Sequence, residues 1–227
     1  ALNARMAERA VDARVAEVAR EFADLEAVAG FLDAVRQDMV ANAELFLKAS
    51  SQSGEGPFPG ALRRAHRESA FDRYAVNVMV GQAGPVAGAP CEEEALPTYD
   101  RLVGRIEHVS QMGSLVTNFT MIKPGALHRA NGGFLLLDAR RVLSEPYAWD
   151  GLKRCLKSGE ITITSLAERL SLMTTTSLEP DPIPLDLRVA LVGERLLHAL
   201  LVAYDPDFPE LFKLQADFDD AVDASDD

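Results

Sequence analysis

The fold is decided by the stretch Lys123–Arg140, KPGALHRANGGFLLLDAR, in which a short helical segment leads through a glycine pair into an apolar run. The run Phe134–Leu137 is continuous in apolar character and ends at an acid, Asp138, which is typical of a buried parallel strand. A second apolar run, Arg188–Val192, follows two prolines. Helical segments alternate with these runs, at Ala126–Ala130, Pro146–Lys157 and Leu196–Ala203. This alternation predicts a three-layer α/β module with a mainly parallel central sheet.

Asp138 is the candidate metal-binding residue. In P-loop ATPases a buried apolar strand of this form, the Walker B strand, holds its terminal carboxylate at the magnesium site. The same residue also fits the N-cap of a following helix, because aspartate oxygens accept hydrogen bonds from the first helical turn. The residues themselves leave both roles open, a ligand for Mg²⁺ or a helix cap.

The first fifty residues predict a helical arm. Apolar residues recur at spacings of three and four, which gives one narrow helical stripe of Val11, Val15, Val18, Phe22 and Leu25. Asp24 is a predicted N-cap for a second helix, along which Phe31, Leu32, Val35, Met39 and Phe46 again recur at helical spacing. We therefore predict an antiparallel helical hairpin with a coiled-coil-like seam. Periodicity leaves open whether this arm packs only on itself or engages a substrate.

A stretch rich in Ser, Gly and Pro follows the arm, SSQSGEGPFPG, and such a composition is typical of a flexible connection. We predict three parts: a helical arm over residues 1–50, a linker over 51–70 and a partial α/β module over 71–227. Within the module, Tyr74–Val80 alternates in polarity and is predicted to form a strand.

Composition excludes several functional classes. No apolar run approaches the roughly 20 residues of a membrane-spanning helix, so no membrane partner is expected. The net charge of -12, with acid concentrated from Asp217 to Asp227, disfavours nucleic acid as a partner. Cys91 and Cys155 have no second Cys or His at zinc-like spacing, and a reducing, cytoplasmic location is expected. The amino terminus lacks a signal peptide and an initiator Met, so we expect the chain to begin inside a longer protein.

Residues Phe71–Asp220 resemble the AAA module of Lon-like proteases, in the branch that has a long helical insertion and a divergent ATPase. The resemblance rests on the string PGALHRANGG at Pro124–Gly133. It continues through WDGLKRCLKSGEITI, SLEPDPIPLDLRVALVGE and DPDFPELFKLQADFDD. The resemblance implies a partial AAA+ P-loop-type fold for the module, with the helical arm as part of the insertion.

The resemblance also implies a function for the parent protein. Lon-like proteins are ATP-dependent serine endopeptidases that recognise, unfold and degrade proteins in a chamber formed by a ring, here expected to be a homo-hexamer. Their cofactors are ATP and Mg²⁺, and their partners are unfolded protein substrates. The Walker A loop lies upstream of the helical insertion and the serine–lysine peptidase dyad lies downstream. No G-x-x-x-x-G-K-[ST] loop occurs in this sequence, so bound ATP is not expected of this chain alone. The sequence also shows no recognisable serine nucleophile with a partnered lysine, so proteolysis by this chain alone is not expected either.

Three positions depart from an active ATPase of this family. Ala139 stands where related motors place a Glu that polarises the attacking water. Glu194 stands at the sensor position, where a polar Asn usually contacts the γ-phosphate, and a carboxylate there would repel the phosphate. Lys213 takes the place of the arginine finger, and Lys lacks the bidentate fork of Arg. Together they imply a weak or silent ATPase, although Glu194 also fits an acid at a helix N-terminus and Lys213 a solvated lysine.

Two further groups of residues receive roles by resemblance. Phe119, Thr120 and Met121 fall where the Lon pore loop carries its aromatic and hydrophobic residues, and an exposed aromatic grips polypeptide without reading its sequence. We expect Phe119 on an exposed loop, with a core position as the alternative. His128 and Arg129 are candidates to contact a neighbouring subunit or a phosphate, with a structural capping role as the alternative.

Two other readings of the chain compete with the Lon-like one. The strings LVGRIEH, GSLVTNFT and GGFLLLD are similar to parts of σ54-activator ATPases, which act on transcription, but the GAFTGA string of that class is absent. The third is a non-hydrolysing AAA-like scaffold that is kept for ring assembly. A downstream peptidase domain, a helix-turn-helix, or neither would separate the three.

Overall fold

The structure is a computed structural model that describes residues 2–46, 71–81, 88–111, 114–164 and 178–218. The chain divides into two compact units, Ala1–Val76 and Asn77–Asp227. The predicted linker, residues 51–70, lies outside the described residues.

The first unit begins with two helices that pack against each other, α1 (Leu2–Glu21) and α2 (Glu26–Ala41). The guanidinium of Arg36 in α2 lies 2.6 Å from Asp12 and 3.6 Å from Glu8, both in α1. A residue far along α2 therefore meets the first half of α1, which is the order of an antiparallel pair. The predicted helical hairpin is confirmed.

The turn between the helices corrects one sequence prediction. Asp24 does not cap α2; Leu25 occupies the N-cap and makes no side-chain hydrogen bond. The backbone N–H of Leu25 donates to the carbonyl of Phe22, so the turn ends one residue later than predicted. Val18, Phe22 and Leu25, which belong to the predicted stripe, are exposed near this turn.

The predicted strand Tyr74–Val80 is absent. Asp72–Tyr74 forms a 3-10 turn, and residues 75–81 have no strand partner among the described residues. In the first unit Tyr74 instead donates its hydroxyl to Asp38 at 2.6 Å and packs on Phe46 and Phe71. Burial, with the adjacent Asp38 carboxylate, raises the pKa of Tyr74 to about 12. Alternation in polarity was therefore not sufficient to form a strand without a neighbour to supply the ladder.

The strands of the second unit are β1 (Cys91–Glu93), β2 (Arg105–Ile106), β3 (Val109–Gln111), β4 (Ser114–Val116), β5 (Ile122–Lys123), β6 (Phe134–Asp138), β7 (Glu160–Ile161), β8 (Ile183–Pro184) and β9 (Arg188–Val192). The helices are α3 (Tyr99–Val103), α4 (Ala126–Arg129), α5 (Ala139–Ser144), α6 (Ala148–Ser158), α7 (Arg195–Tyr204) and α8 (Phe208–Leu211). Both apolar runs predicted to be strands are strands, and the three predicted helices are present.

A three-stranded parallel sheet, in the order β1-β6-β9, organises this unit. The central strand β6 is apolar because helices cover one of its faces, where Leu135 and Leu137 are fully buried. On the opposite face Phe134 and Val192 are 49% and 64% exposed. The mixed α/β fold with a parallel sheet is confirmed, and the described helices cover mainly one side of it.

The core joins this covered face to the surrounding helices. Helix α6 turns a stripe at helical spacing inward, made of Ala148, Gly151, Leu152 and Cys155. It ends at Gly159, whose φ of 68° gives the left-handed C-cap that favours glycine. Full burial of a leucine such as Leu152 stabilises the fold by about 1.5–3 kcal/mol.

A steric constraint explains the glycine that directly precedes β6, Gly133. A Cβ at Gly133 would lie 2.0 Å from the carbonyl oxygen of Pro90, the residue before β1. The N–H of Phe134 donates to that same oxygen at 2.8 Å. Close approach of the two strand starts therefore requires glycine at this position.

No helix in the described part of the chain combines the length and the apolar character needed to cross a bilayer.

Candidate functional site

The candidate site lies where β6 and β9 end side by side. In their parallel register Asp138 pairs with Val192, so Asp138, Gly193 and Glu194 share one edge of the sheet. Asp138 therefore lies at the carboxyl end of the central strand, beside β9.

Asp138 itself caps helix α5. Its Oδ1 accepts a hydrogen bond from the N–H of Arg141 at 3.0 Å, and Oδ2 lies 3.8 Å from Nε of Arg141. The side chain is half-exposed. The helix-cap role that the sequence left open is thus occupied, and part of the carboxylate still faces solvent.

The residue after Asp138 contributes no base. Ala139 is buried, and a Cβ built on Gly193 would lie 2.9 Å from the Cβ of Ala139. The close approach of these two residues joins the start of α5 to the end of β9. A larger side chain at Gly193 would therefore force the two elements apart.

Glu194 pairs with Arg140, the second residue of α5. Its Oε1 lies 2.7 Å from Nη2 of Arg140, and both side chains are exposed. Glu194 occupies the N-cap of α7 without a side-chain capping bond. An exposed ion pair of this kind contributes about 0–1 kcal/mol to the free energy of unfolding. Its main effect is therefore to neutralise the charge of Glu194 locally.

These residues do not fit a complete site for Mg²⁺ and ATP. Asp138 is a single carboxylate that already caps a helix, and no group of three or more His, Cys, Asp or Glu side chains with metal-binding placement occurs in the described part of the chain. The sequence also contains no phosphate loop.

His128 is fully buried in α4. Its Nδ1 accepts a hydrogen bond from the N–H of Gly125 at 3.2 Å, and Nε2 has no partner among the described residues. Burial, followed by the charge of Arg129, lowers the pKa of His128 to about 4. A side chain without accessible surface cannot touch a neighbouring subunit or a phosphate, so the structure gives His128 the capping role.

Arg129 binds the acidic strand β1. Its guanidinium lies 3.2 Å from Glu92 and 3.1 Å from Glu94. Glu94 is buried and also pairs with Arg101 at 3.1 Å. The two arginines provide the partners that a buried carboxylate requires. The guanidinium of Arg129 is therefore paired with carboxylates of its own module.

Phe119 does not lie on an exposed loop, which corrects the sequence expectation. Phe119–Met121 forms a 3-10 turn whose three residues are half-buried. Asn118 accepts hydrogen bonds from the N–H and the hydroxyl of Thr120 at 2.9 and 2.6 Å. Asn77 donates to the carbonyls of Phe119 and Ile122 at 2.8 and 2.9 Å. The turn is therefore fixed to the module from both sides.

Lys213 lies on an exposed segment after α8. The preceding Phe212 stacks on Trp149 and on Phe208, with ring centroids 5.9 and 5.1 Å apart. Trp149 in turn donates its indole N–H to Asp205 at 2.7 Å, and Lys153 reaches the same carboxylate at 2.8 Å. This cluster holds α8 against α6, which places the backbone before Lys213.

Sequence reasoning missed the residues that position these segments. Asn77 lay in a predicted strand, although its amide holds the turn at Phe119. The hairpin formed by β3 and β4 was also missed. One signal could have found it, since no charged residue occurs from Val109 to Ile122 in a chain that is 26% charged.

A parallel sheet whose central apolar strand ends in an aspartate, next to a second parallel strand and covered by helices, is an arrangement expected of an AAA-type α/β module. The LonB-like AAA domain model matches residues 87–219, more than half of the chain. The chain belongs to the LonB-like AAA domain family. Nucleotide binding is the general property of AAA domains.

A similar protein supports the same family. The protein named "Putative Lon protease homolog" of Escherichia coli (strain K12) is 30% identical over 106 residues. The matched region covers 44% of this chain and 16% of that relative. The chain therefore spans well under two thirds of the length of the relative that it matches.

Proposed function

We propose that this chain is the substrate-handling part of a Lon-like ATP-dependent serine endopeptidase that recognises, unfolds and degrades proteins. The observation that carries the proposal is the match to the LonB-like AAA domain across a module in which β6 and β9 are parallel neighbours and Asp138 pairs with Val192. Both the matching family model and the similar Escherichia coli protein carry Lon-like descriptions, which favours the protease over the transcription-activator alternative.

In this proposal the parent protein forms a homo-hexameric ring that works in the cytoplasm on unfolded proteins, with ATP and Mg²⁺ as its cofactors. Helices α1 and α2 form the arm of the helical insertion. The predicted pore-loop residues Phe119, Thr120 and Met121 carry the substrate contact, and they directly precede β5, which pairs with β2.

The proposal includes an ATPase site that has lost its hydrolytic residues. Ala139 is buried against Gly193, and Glu194 is paired with Arg140, so neither sequence position offers a group that would activate water or bind the γ-phosphate. Lys213 replaces the arginine finger. The module then contributes ring contacts and substrate contacts rather than nucleotide hydrolysis.

The test runs phosphate release and proteolysis in parallel. We expect no phosphate release from Mg-ATP by the 227-residue chain, and degradation of unfolded casein by the longer protein that carries it. Phosphate release by the chain that survives repurification and disappears in Asp138→Ala would overturn the degenerate site. Failure of the longer protein to cleave either casein or a small fluorogenic peptide would overturn the protease assignment.

A further inference from the structure

The 3-10 turn Phe119–Met121 takes its shape from hydrogen bonds made close to it in the chain. The side chain of Asn118 accepts from the N–H and the hydroxyl of Thr120, and the Asn118 carbonyl accepts from the N–H of Met121 at 3.0 Å. The Met121 carbonyl in turn accepts from the N–H of Glu107 at 3.0 Å. All of these partners lie between β2 and β5 in the chain, so these bonds shape the turn without attaching it to the rest of the module.

The attachment comes from the side-chain amide of Asn77. Its Nδ2 donates to the carbonyl of Phe119 at 2.8 Å and to the carbonyl of Ile122 at 2.9 Å, one at each end of the turn. Carbonyl oxygens only accept, so both bonds require the NH2 end of an amide. Among the described residues, Asn77 is the one residue outside the segment from β2 to β5 that donates a hydrogen bond to this turn.

The side chains around Asn77 are inverted relative to their usual burial. Asn77 is half-buried, whereas Val76 and Val78 on either side of it are 71% and 66% exposed. Valine is normally among the most buried residue types, and asparagine is mostly exposed. Burial of the two valines therefore does not explain how this stretch is placed, and the hydrogen bonds of the amide do.

From these contacts we propose that Asn77 is a positioning residue for substrate contact, which holds the backbone of the Phe119–Met121 turn so that its side chains meet an unfolded polypeptide. The inference rests on the proposed function, in which these residues carry the substrate contact, and it adds the residue that orients them. Both N–H groups of the amide are engaged by main-chain carbonyls, so Asn77 acts through the turn and not on the polypeptide itself.

Two anchors fix the orientation of the turn as well as its place. Phe119, Thr120 and Met121 are each half-buried, so one part of each side chain faces the module and another part faces solvent. A turn held at one carbonyl could rotate about that point, but a turn held at both ends cannot rotate without breaking a hydrogen bond. Contact residues need such support from the residues behind them, because their own hydrogen bonds do not set their direction.

The experiment is site-specific photo-crosslinking with the 227-residue chain. The crosslinker p-benzoylphenylalanine replaces Phe119, and the probe is reduced, carboxymethylated α-lactalbumin, which stays unfolded. A second sample carries the crosslinker at Leu96, an exposed leucine outside the turn. We expect Asn77→Asp to lower the yield from position 119 about ten-fold, because an ionised carboxylate has no donor and repels both carbonyl oxygens. The yield from position 96 should stay unchanged.

Two further variants separate the donors from the added charge. Asn77→Ala removes both hydrogen bonds without adding charge and should lower the yield from position 119 about five-fold; it carries the test alone if Asn77→Asp does not fold. The matched control is Gln215→Glu, which adds the same charge at an exposed amide outside the turn and should change the yield by less than about two-fold. Thermal midpoints and far-UV circular dichroism on the same samples identify the folded variants.

Three results would overturn the proposal. Equal yields from position 119 in wild type and in both Asn77 variants would show that Asn77 does not position the turn. A parallel loss from positions 119 and 96, with a lower thermal midpoint, would show that Asn77 only stabilises the fold. No crosslinking from position 119 in wild type would remove the substrate contact of the turn, and with it the role of Asn77. Because the assay needs no proteolysis, each of these results leaves the protease assignment standing, and a longer protein without protease activity leaves the crosslinking result standing.

Discussion

Lowering the pH should destabilise the second unit through His128. The side chain is fully buried, and its pKa in the folded protein is about 4 against an ordinary value of 6.5. Below pH 6.5 the imidazole of His128 therefore binds a proton in the unfolded chain but stays neutral in the folded chain until the pH approaches 4. The stability that the neutral imidazole provides is complete above about pH 6.5 and is lost as the pH falls toward 4.

The magnitude follows from this difference in pKa. The full effect is about 3 kcal/mol, and roughly 2 kcal/mol of it is lost between pH 7 and pH 5. The assay is urea unfolding at both pH values, followed by the fluorescence of Trp149, the single tryptophan of the chain. With a slope near 2 kcal/mol per molar urea, the unfolding midpoint should fall by about 1 M through His128 alone.

A variant isolates this contribution from the carboxylates. In His128→Asn the amide oxygen can still accept the hydrogen bond from Gly125, but the side chain does not titrate. Wild type should lose about 2 kcal/mol more than His128→Asn between the two pH values. His108→Asn, at an exposed histidine, is the matched control and should follow wild type. Equal losses in wild type and His128→Asn would refute the assignment of a buried neutral imidazole.

Three further predictions concern stability. Asp205→Ala should lower the free energy of unfolding by about 2 kcal/mol, because it removes the partner of Lys153 and of the Trp149 indole. Asp186→Ala, in a highly exposed pair with Arg188, should lower it by less than about 0.5 kcal/mol. Equal losses of the two variants in chemical denaturation would contradict a stabilising role for the Asp205 contacts. Gly133→Ala should lower the free energy of unfolding by about 3 kcal/mol, because the added Cβ overlaps with Pro90. Gly88→Ala, where a Cβ meets nothing within 4 Å, should leave the thermal midpoint nearly unchanged. In a spectrophotometric titration at alkaline pH, one of the four tyrosines should ionise near pH 12; this late phase should vanish in Tyr74→Phe, and the folded state of the first unit should lose stability as the pH rises from about 10 to 12.

The sequence predicted the parts of this fold that depend on continuous apolar runs. The runs Phe134–Leu137 and Arg188–Val192 could be recognised because strands covered by helices need apolar residues at successive positions. Their adjacency in the sheet, with Asp138 opposite Val192, is given by the structure. The strand predicted at Tyr74–Val80 failed because strand formation depends on a partner that local alternation does not reveal.

The candidate site was predictable in its residues but not in their contacts. Glu194 and Arg140 are far apart in sequence, and only the parallel packing of β6 and β9 brings them within 2.7 Å. Phe119 was expected to be exposed because it was placed by analogy with a loop. Phe119 instead lies in a half-buried 3-10 turn, and its carbonyl accepts a hydrogen bond from Asn77. Such long-range hydrogen bonds from a side-chain amide leave no periodic pattern in a sequence.

The protease assignment is tested most directly by covalent labelling of the proposed longer protein with a serine-directed fluorophosphonate, with casein degradation measured on the same sample. We expect one serine outside these 227 residues to be labelled and casein degradation to stop in proportion to labelling. Casein degradation that continues after complete labelling, or a labelled serine within this chain, would contradict the protease assignment.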